Sequence, residues 1–210
     1  MKELAPEQHY EFRKGAGDVL VIACGALARE LVALVEMNGW RQFDIQCLPA
    51  IWHNTPEKIP EGVRDAIRKA RNAGRYSAIF VAYGDCGTGG LLDKVIEAEG
   101  VQRIDGPHCY SFFSGNETWK GHEDEITAFY LTDYLARHFE TLVWKGFGLD
   151  RHPELRDMMF GNYTKVVYLA QTEDHHLQDL ARQAAAKLGL DYEYRFTGYG
   201  DLATVLKSIA

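Results

Sequence analysis

Long apolar runs are missing from this sequence. No stretch reaches the roughly 18 consecutive apolar residues of a membrane span, which argues against an integral membrane protein. Runs of Lys and Arg are missing too, and the formal net charge of −7 makes the average surface repel nucleic acid and anionic lipid. The opening stretch, Met1 to Lys14, is polar with charges of both signs and lacks the charged-then-apolar order of an export signal. A cytoplasmic protein is expected. Cysteine is scarce, four in 210 residues, too few for a disulfide scaffold. In a reducing compartment such cysteines pack as apolar residues, bind metal or do chemistry. No Cys-x-x-Cys pair occurs, so the usual zinc-ribbon spacing is absent. The glycine-rich segment Gly84 to Gly90 is not followed by Gly-Lys-Ser/Thr and lacks the Gly-x-Gly-x-x-Gly order, so neither common phosphate-binding fingerprint applies to it.

What is present is an ordinary globular composition, 46% hydrophobic and 25% charged, patterned as alternating strands and helices. Val19 to Cys24 is a short apolar, β-branched run without alternation, as for a strand buried on both faces. Ala26 to Asn38 carries Leu27, Leu31, Leu34 and Val35 at helical spacing, with Gly39 as its stop. Phe43 to Leu48 reads as a second strand and Ala78 to Tyr83 as a third. Between them Glu61 to Asn72 is an amphipathic helix, which Thr55 and Pro56 are placed to start. Leu91 to Glu99 reads as a helix and Val101 to Ile104 as a short strand. Phe129 to Phe139 has a helical pattern, and Gly146 to Asn162 mixes loop and helix. Thr164 to Ala170 is a strand, Asp174 to Leu188 a helix, Tyr192 to Phe196 a last strand and Leu202 to Ile209 a last helix. This order predicts an α/β fold, Rossmann-like and three-layered, with a mostly parallel sheet and helices on both faces. A single domain over 1–210 is expected, with a two-lobed division, if any, near 115–160.

Parallel sheets carry ligands beyond the carboxyl ends of their strands. Cys24, His53, Cys86 and Cys109 all fall in or near segments that leave strand ends. Thiolates and imidazoles suit tetrahedral Zn²⁺, and three protein ligands with one open position is the catalytic form. Three cysteines also suit an iron–sulfur cluster with one open iron. Against these stands the plain reading that small cysteines fill gaps at strand ends. A further reading makes Cys86 a nucleophile paired with His53 or His108, its thiol acidified by exposed amides and a helix start. The amides of the Gly84–Gly90 turn, Gly84 and Gly87 among them, are candidates to cradle a phosphate-bearing cofactor. Asp85 is a candidate catalytic or orienting carboxylate, and Asp174 a second orienting one. Cys47 shares a strand face with Ile45 and reads as core. His175 and His176 read as a solvated helix start.

The segments ACGALARE at Ala23 to Glu30, LPAIWHNTPEKIP at Leu48 to Pro60, YGDCGTGGLLD at Tyr83 to Asp93, DGPHCYSFFSG at Asp105 to Gly115 and GNYTKVVYLAQTED at Gly161 to Asp174 together resemble the domain of unknown function 1638 family of bacteria and archaea. The resemblance spans nearly the whole chain. Archaeal members carry His-Asp-Cys where this chain has Pro107-His108-Cys109, so an aspartate stands opposite His108. Cys47 matches no family motif. Members often lie beside genes for corrinoid-dependent methylamine or betaine methyltransferases, which implies a link to one-carbon metabolism. The resulting expectation is a cytoplasmic metal-thiolate protein, a zinc-dependent enzyme of methyl-group metabolism with Cys24, Cys86, Cys109 and His53 as ligands and His53 and Asp85 as acid–base groups. It would act on a small-molecule substrate or a methyl carrier. The alternative is a non-catalytic accessory protein that handles a metal or docks to a corrinoid protein or methyltransferase. The chain lacks the Asp-x-His-x-x-Gly type of loop of corrinoid carriers.

Overall fold

The computed structural model describes residues 5–13, 17–122 and 125–210; the reading of the polar start therefore falls partly outside the described residues. In chain order the elements are β1 (Tyr10–Phe12), β2 (Val19–Cys24), α1 (Ala28–Asn38), β3 (Phe43–Leu48), α2 (Ile59–Asn72), β4 (Ala78–Ala82), α3 (Leu91–Glu99), β5 (Gln102–Arg103), α4 (Cys109–Ser114), α5 (Asn116–Lys120), β6 (Ala128–Thr132), α6 (Asp133–Phe139), α7 (Leu155–Phe160), β7 (Lys165–Ala170), α8 (His175–Leu188), β8 (Asp191–Phe196) and α9 (Gly200–Ser208). The chain forms two compact units, one running to Cys109 and taking back Leu202–Ala210, the other Tyr110–Asp201. No helix among the described residues is long and apolar enough to cross a membrane.

The first unit is built on a sheet of order β1-β3-β2-β4-β5. β2, β3, β4 and β5 run parallel, while β1 pairs antiparallel with the outer edge of β3. β2 is apolar throughout because it lies at the centre: Val21, Ile22 and Ala23 are all inaccessible to solvent. Ile22, Leu48, Val81 and Tyr83 form one core with Ile59, Val63 and Ile67 of α2 and Leu92 of α3. The polar-faced helix α2 puts those residues inward at helical spacing and its charges outward. α1 stops where Gly39 adopts a left-handed conformation, φ 64°, as the sequence leads one to expect. Helix α2 begins at Ile59 rather than Glu61, and Thr55 makes no side-chain cap; Pro56 opens a separate short 3-10 turn, Pro56–Lys58.

The second unit carries its own sheet, β6-β7-β8, parallel throughout. The architecture is thus mixed α/β with two sheets, not one mostly parallel sheet. One segment also changes its element type. The helix expected over Phe129 to Phe139 is a strand, β6, followed directly by α6. Thr132 divides them: its hydroxyl accepts from the Leu135 amide, capping α6. A buried carboxylate fixes this junction to the next strand. Asp133, 1% exposed, accepts from the Tyr168 hydroxyl at 2.7 Å and the Gln171 amide at 3.0 Å, and its other oxygen accepts from the Thr172 hydroxyl.

Candidate functional site

The parallel strands of the first unit send the loops after β2, β3, β4 and β5 to one rim of the sheet. The chain leaves β2 at Cys24 into a 3-10 turn, Gly25–Leu27, that leads straight into α1. Gly25 is close under the next loop: a Cβ there would lie 3.1 Å from the Leu48 carbonyl oxygen. Beyond β3, the 3-10 turn Ala50–Asn54 carries His53. Its neighbour Trp52 is laid so tightly over α2 that a Cβ on Gly62 would come within 2.2 Å of the indole Cζ3. That contact anchors the turn and leaves His53 exposed to solvent.

The glycine-rich loop after β4 is held against the loop after β5. The Asp85 amide donates to the Gly106 carbonyl at 3.2 Å and the Cys86 amide to the Pro107 carbonyl at 2.7 Å. Cys86 takes a left-handed conformation, φ 50°, the single non-glycine residue to do so among those described. Such a conformation costs a branched or ordinary side chain about 1–3 kcal/mol and is typical of functional or tightly constrained positions. These contacts bring Cys86 beside Cys109, the first residue of α4.

Cys24, Cys86 and Cys109 are thus electrostatic neighbours at the rim. All three are half-buried; Cys24 lies near enough to raise the Cys86 thiol, and both lie near enough to raise that of Cys109. Burial is the larger cause: it pushes the Cys24 thiol up to about 11 and the Cys86 thiol up to about 12, with Cys109 also well above its ordinary value. Cys47 is fully buried. Its register partner is Ala23, so it takes the opposite face of the sheet from Cys24, which pairs with Leu48, although Cys24 is still near enough to raise its thiol, after burial the next largest cause. The packing role read from the sequence is the one it has. Among the described residues no three His, Cys, Asp or Glu side chains are already gathered closely enough to hold a metal ion; the thiols are neighbours, not a closed coordination shell.

Burial lowers the imidazole pKa of His108, and nearby His53 lowers it further; the protein beside the ring of His53 lowers its pKa too, although the residue is exposed at the surface. Both are therefore biased toward the neutral form that ligates metal or accepts a proton. Asp85 has a different job from a free acid–base group. Its carboxylate accepts from the Thr88 hydroxyl at 2.8 Å, the Gly90 amide at 2.7 Å and the Gly89 amide at 3.2 Å, and Gly87 donates to it as well. Partial burial would raise its pKa, but these donors outweigh that and hold it below the ordinary carboxylate value. The amides expected to cradle a phosphate thus point at Asp85, which stands where an anion would. Gly84 is needed for a different reason, the close approach of the loop after β5. Asp174 lies in the second unit and caps α8, accepting from the His176 and Leu177 amides.

Two buried polar residues at the rim escaped the sequence reading. Glu30 of α1 is 4% exposed and close enough to Cys47 and Cys109 to raise their thiols. Its signal was a carboxylate in place of an apolar residue on the inner side of an amphipathic helix. Tyr83 is 2% exposed and has Cys24, Cys47 and Cys86 as electrostatic neighbours. Inside the apolar run AIFVAY nothing set it apart from a core aromatic.

A family model described as a protein of unknown function, DUF1638, matches residues 47–206. His53, Cys86 and Cys109 fall inside this span, and Cys24 precedes it. No curated protein and no solved structure matches the chain.

Proposed function

This chain belongs to the DUF1638 family, and we propose for it a metal-thiolate centre formed by Cys24, Cys86 and Cys109. Zn²⁺ is the favoured ion, and His53 serves as fourth ligand or as acid–base partner. What supports the reading is that these three half-buried thiols, from three separate loops, are electrostatic neighbours at the carboxyl rim, the Rossmann-like place for a site. Their raised pKa values argue against a free thiolate nucleophile at neutral pH, since about 12 for Cys86 leaves almost no anion. A bound dication reverses that bias, because a coordinating thiol is deprotonated outright. Three soft sulfur donors suit zinc, and the exposure of His53 suits a position that exchanges with solvent or substrate. Bound zinc would supply an activated thiol or water, for methyl transfer or hydrolysis. A cytoplasmic role in one-carbon metabolism is the setting that the family resemblance implies for such a centre.

The test is metal content and a UV–visible spectrum of protein purified without oxygen, beside Cys86→Ala. About one zinc per chain, a featureless visible spectrum and loss of metal in the variant are the expected results. Iron with sulfide and a brown colour would replace zinc by an iron–sulfur cluster. No metal in either protein after anaerobic reconstitution would overturn the proposal.

A further inference from the structure

Tyr83 follows β4 as Cys24 ends β2. The two strands pair Ala23 with Ala82, so the next residue on each, Cys24 and Tyr83, projects to the same face of the sheet. Both pack in the core that holds Leu48 and Ile59. The Tyr83 hydroxyl is buried there and makes no hydrogen bond of ordinary geometry among the described residues. What it faces is sulfur: Cys24 is the thiol placed to receive its proton. A buried hydroxyl left in this condition lowers stability, and phenylalanine would fill the same space without that cost.

We propose that Tyr83 is a positioning residue of the cysteine site, its Oη–H donating to the Cys24 sulfur once that sulfur is a metal-bound thiolate. The inference rests on the metal-thiolate reading. An anionic sulfur is a far better acceptor than a thiol, so the bond strengthens on metal binding. It fixes the Cys24 side chain toward the ion and withdraws electron density from that sulfur, as outer-shell donors to metal ligands do. Cys24 thereby becomes the anchored ligand of the set, and Cys86 and Cys109, which lack this donor, the more electron-rich pair.

Tyr83→Phe, compared with the wild type, tests this with Co²⁺ as the probe under anaerobic conditions. Three results are expected. The metal-free variant melts at the same temperature as the wild type or higher. Its Co²⁺ affinity is lower by about 10-fold. Its sulfur-to-cobalt charge-transfer band lies at longer wavelength, because the sulfur lone pairs are no longer lowered by the hydrogen bond. A band and an affinity that do not move, in protein whose wild type binds Co²⁺, would overturn the role of Tyr83 and leave the metal site standing. A metal-free variant that melts lower would do the same, by showing the hydroxyl to be structural. Failure of the wild type to take up Co²⁺ or Zn²⁺ would overturn both readings.

Discussion

A Cβ on Gly84 would stand 2.8 Å from the backbone nitrogen of His108, a distance that real Cβ atoms do not tolerate. The obstacle is main chain on both sides, with the Gly106 carbonyl oxygen at 2.9 Å, so no side-chain rotation relieves it. Gly84→Ala must push the loop after β5 away, and with it Cys109. We expect a loss of about 1–3 kcal/mol in urea unfolding, the usual cost of overpacking, and faster reaction of Cys109 with a thiol reagent. An unchanged midpoint with unchanged thiol kinetics would show that the two loops are not clamped as described.

Cys86 gives a comparison between two truncations. Its φ of 50° strains any residue with a Cβ, so Cys86→Gly should be more stable than Cys86→Ala by about 1 kcal/mol. Both lose the sulfur, so the difference reports the relief of backbone strain net of the larger unfolded-state entropy of glycine. The measurement is the urea midpoint of each variant without metal. Equal stabilities, or a more stable alanine variant, would mean that the left-handed conformation is not maintained in solution.

Asp85 closes the glycine-rich turn by accepting from Thr88, Gly89 and Gly90. Asp85→Ala should destabilise by about 2 kcal/mol, the scale of hydrogen bonds to a charged acceptor. Sulfate should return part of that loss, because the freed amides form an anion pocket. Its lowered pKa sets the sign with pH. The contribution is complete above the unfolded carboxyl value of about 3.9 and fades as pH falls through the lower folded value. No recovery of the variant in sulfate relative to chloride would contradict the anion-mimic role.

In the second unit, Glu125 is held by Lys165, Arg195 and the Tyr130 hydroxyl. Hydrogen bonding from Arg195 is the largest cause of a pKa well below the ordinary carboxylate range. Such a group stabilises the fold above its unfolded value, about 4.3, and stops doing so as pH drops through the folded one. Glu125→Gln should therefore be less stable than wild type at pH 7, with the gap narrowing below about pH 4. Denaturant midpoints across that range read it directly. A gap that widened in acid would reverse the assignment.

Much of the first unit is written locally. β2 lies where its apolar run begins and ends, because a central parallel strand is apolar on both faces, and α3 stops where its pattern meets Gly100, left-handed at φ 57°. The segment from Ala128 to Phe139 carries no such local decision. Phe129, Leu131 and Leu135 fit either periodicity, and β6 exists because β7 offers it a parallel partner.

The same division runs through the site. The sequence determined which donors are available and that Cys24, His53, Cys86 and Cys109 leave strand ends, since strand runs and turn residues are short-range signals. Only the tertiary structure decided that Cys47 takes the opposite face from Cys24, because sheet register sets the face each side chain takes, and that Cys86 and Cys109 become electrostatic neighbours of Cys24. It alone decided that Tyr83 buries its hydroxyl beside Cys24. For Tyr83 the neighbour lies far off in the chain, and no local pattern encodes whether a buried polar atom finds a partner.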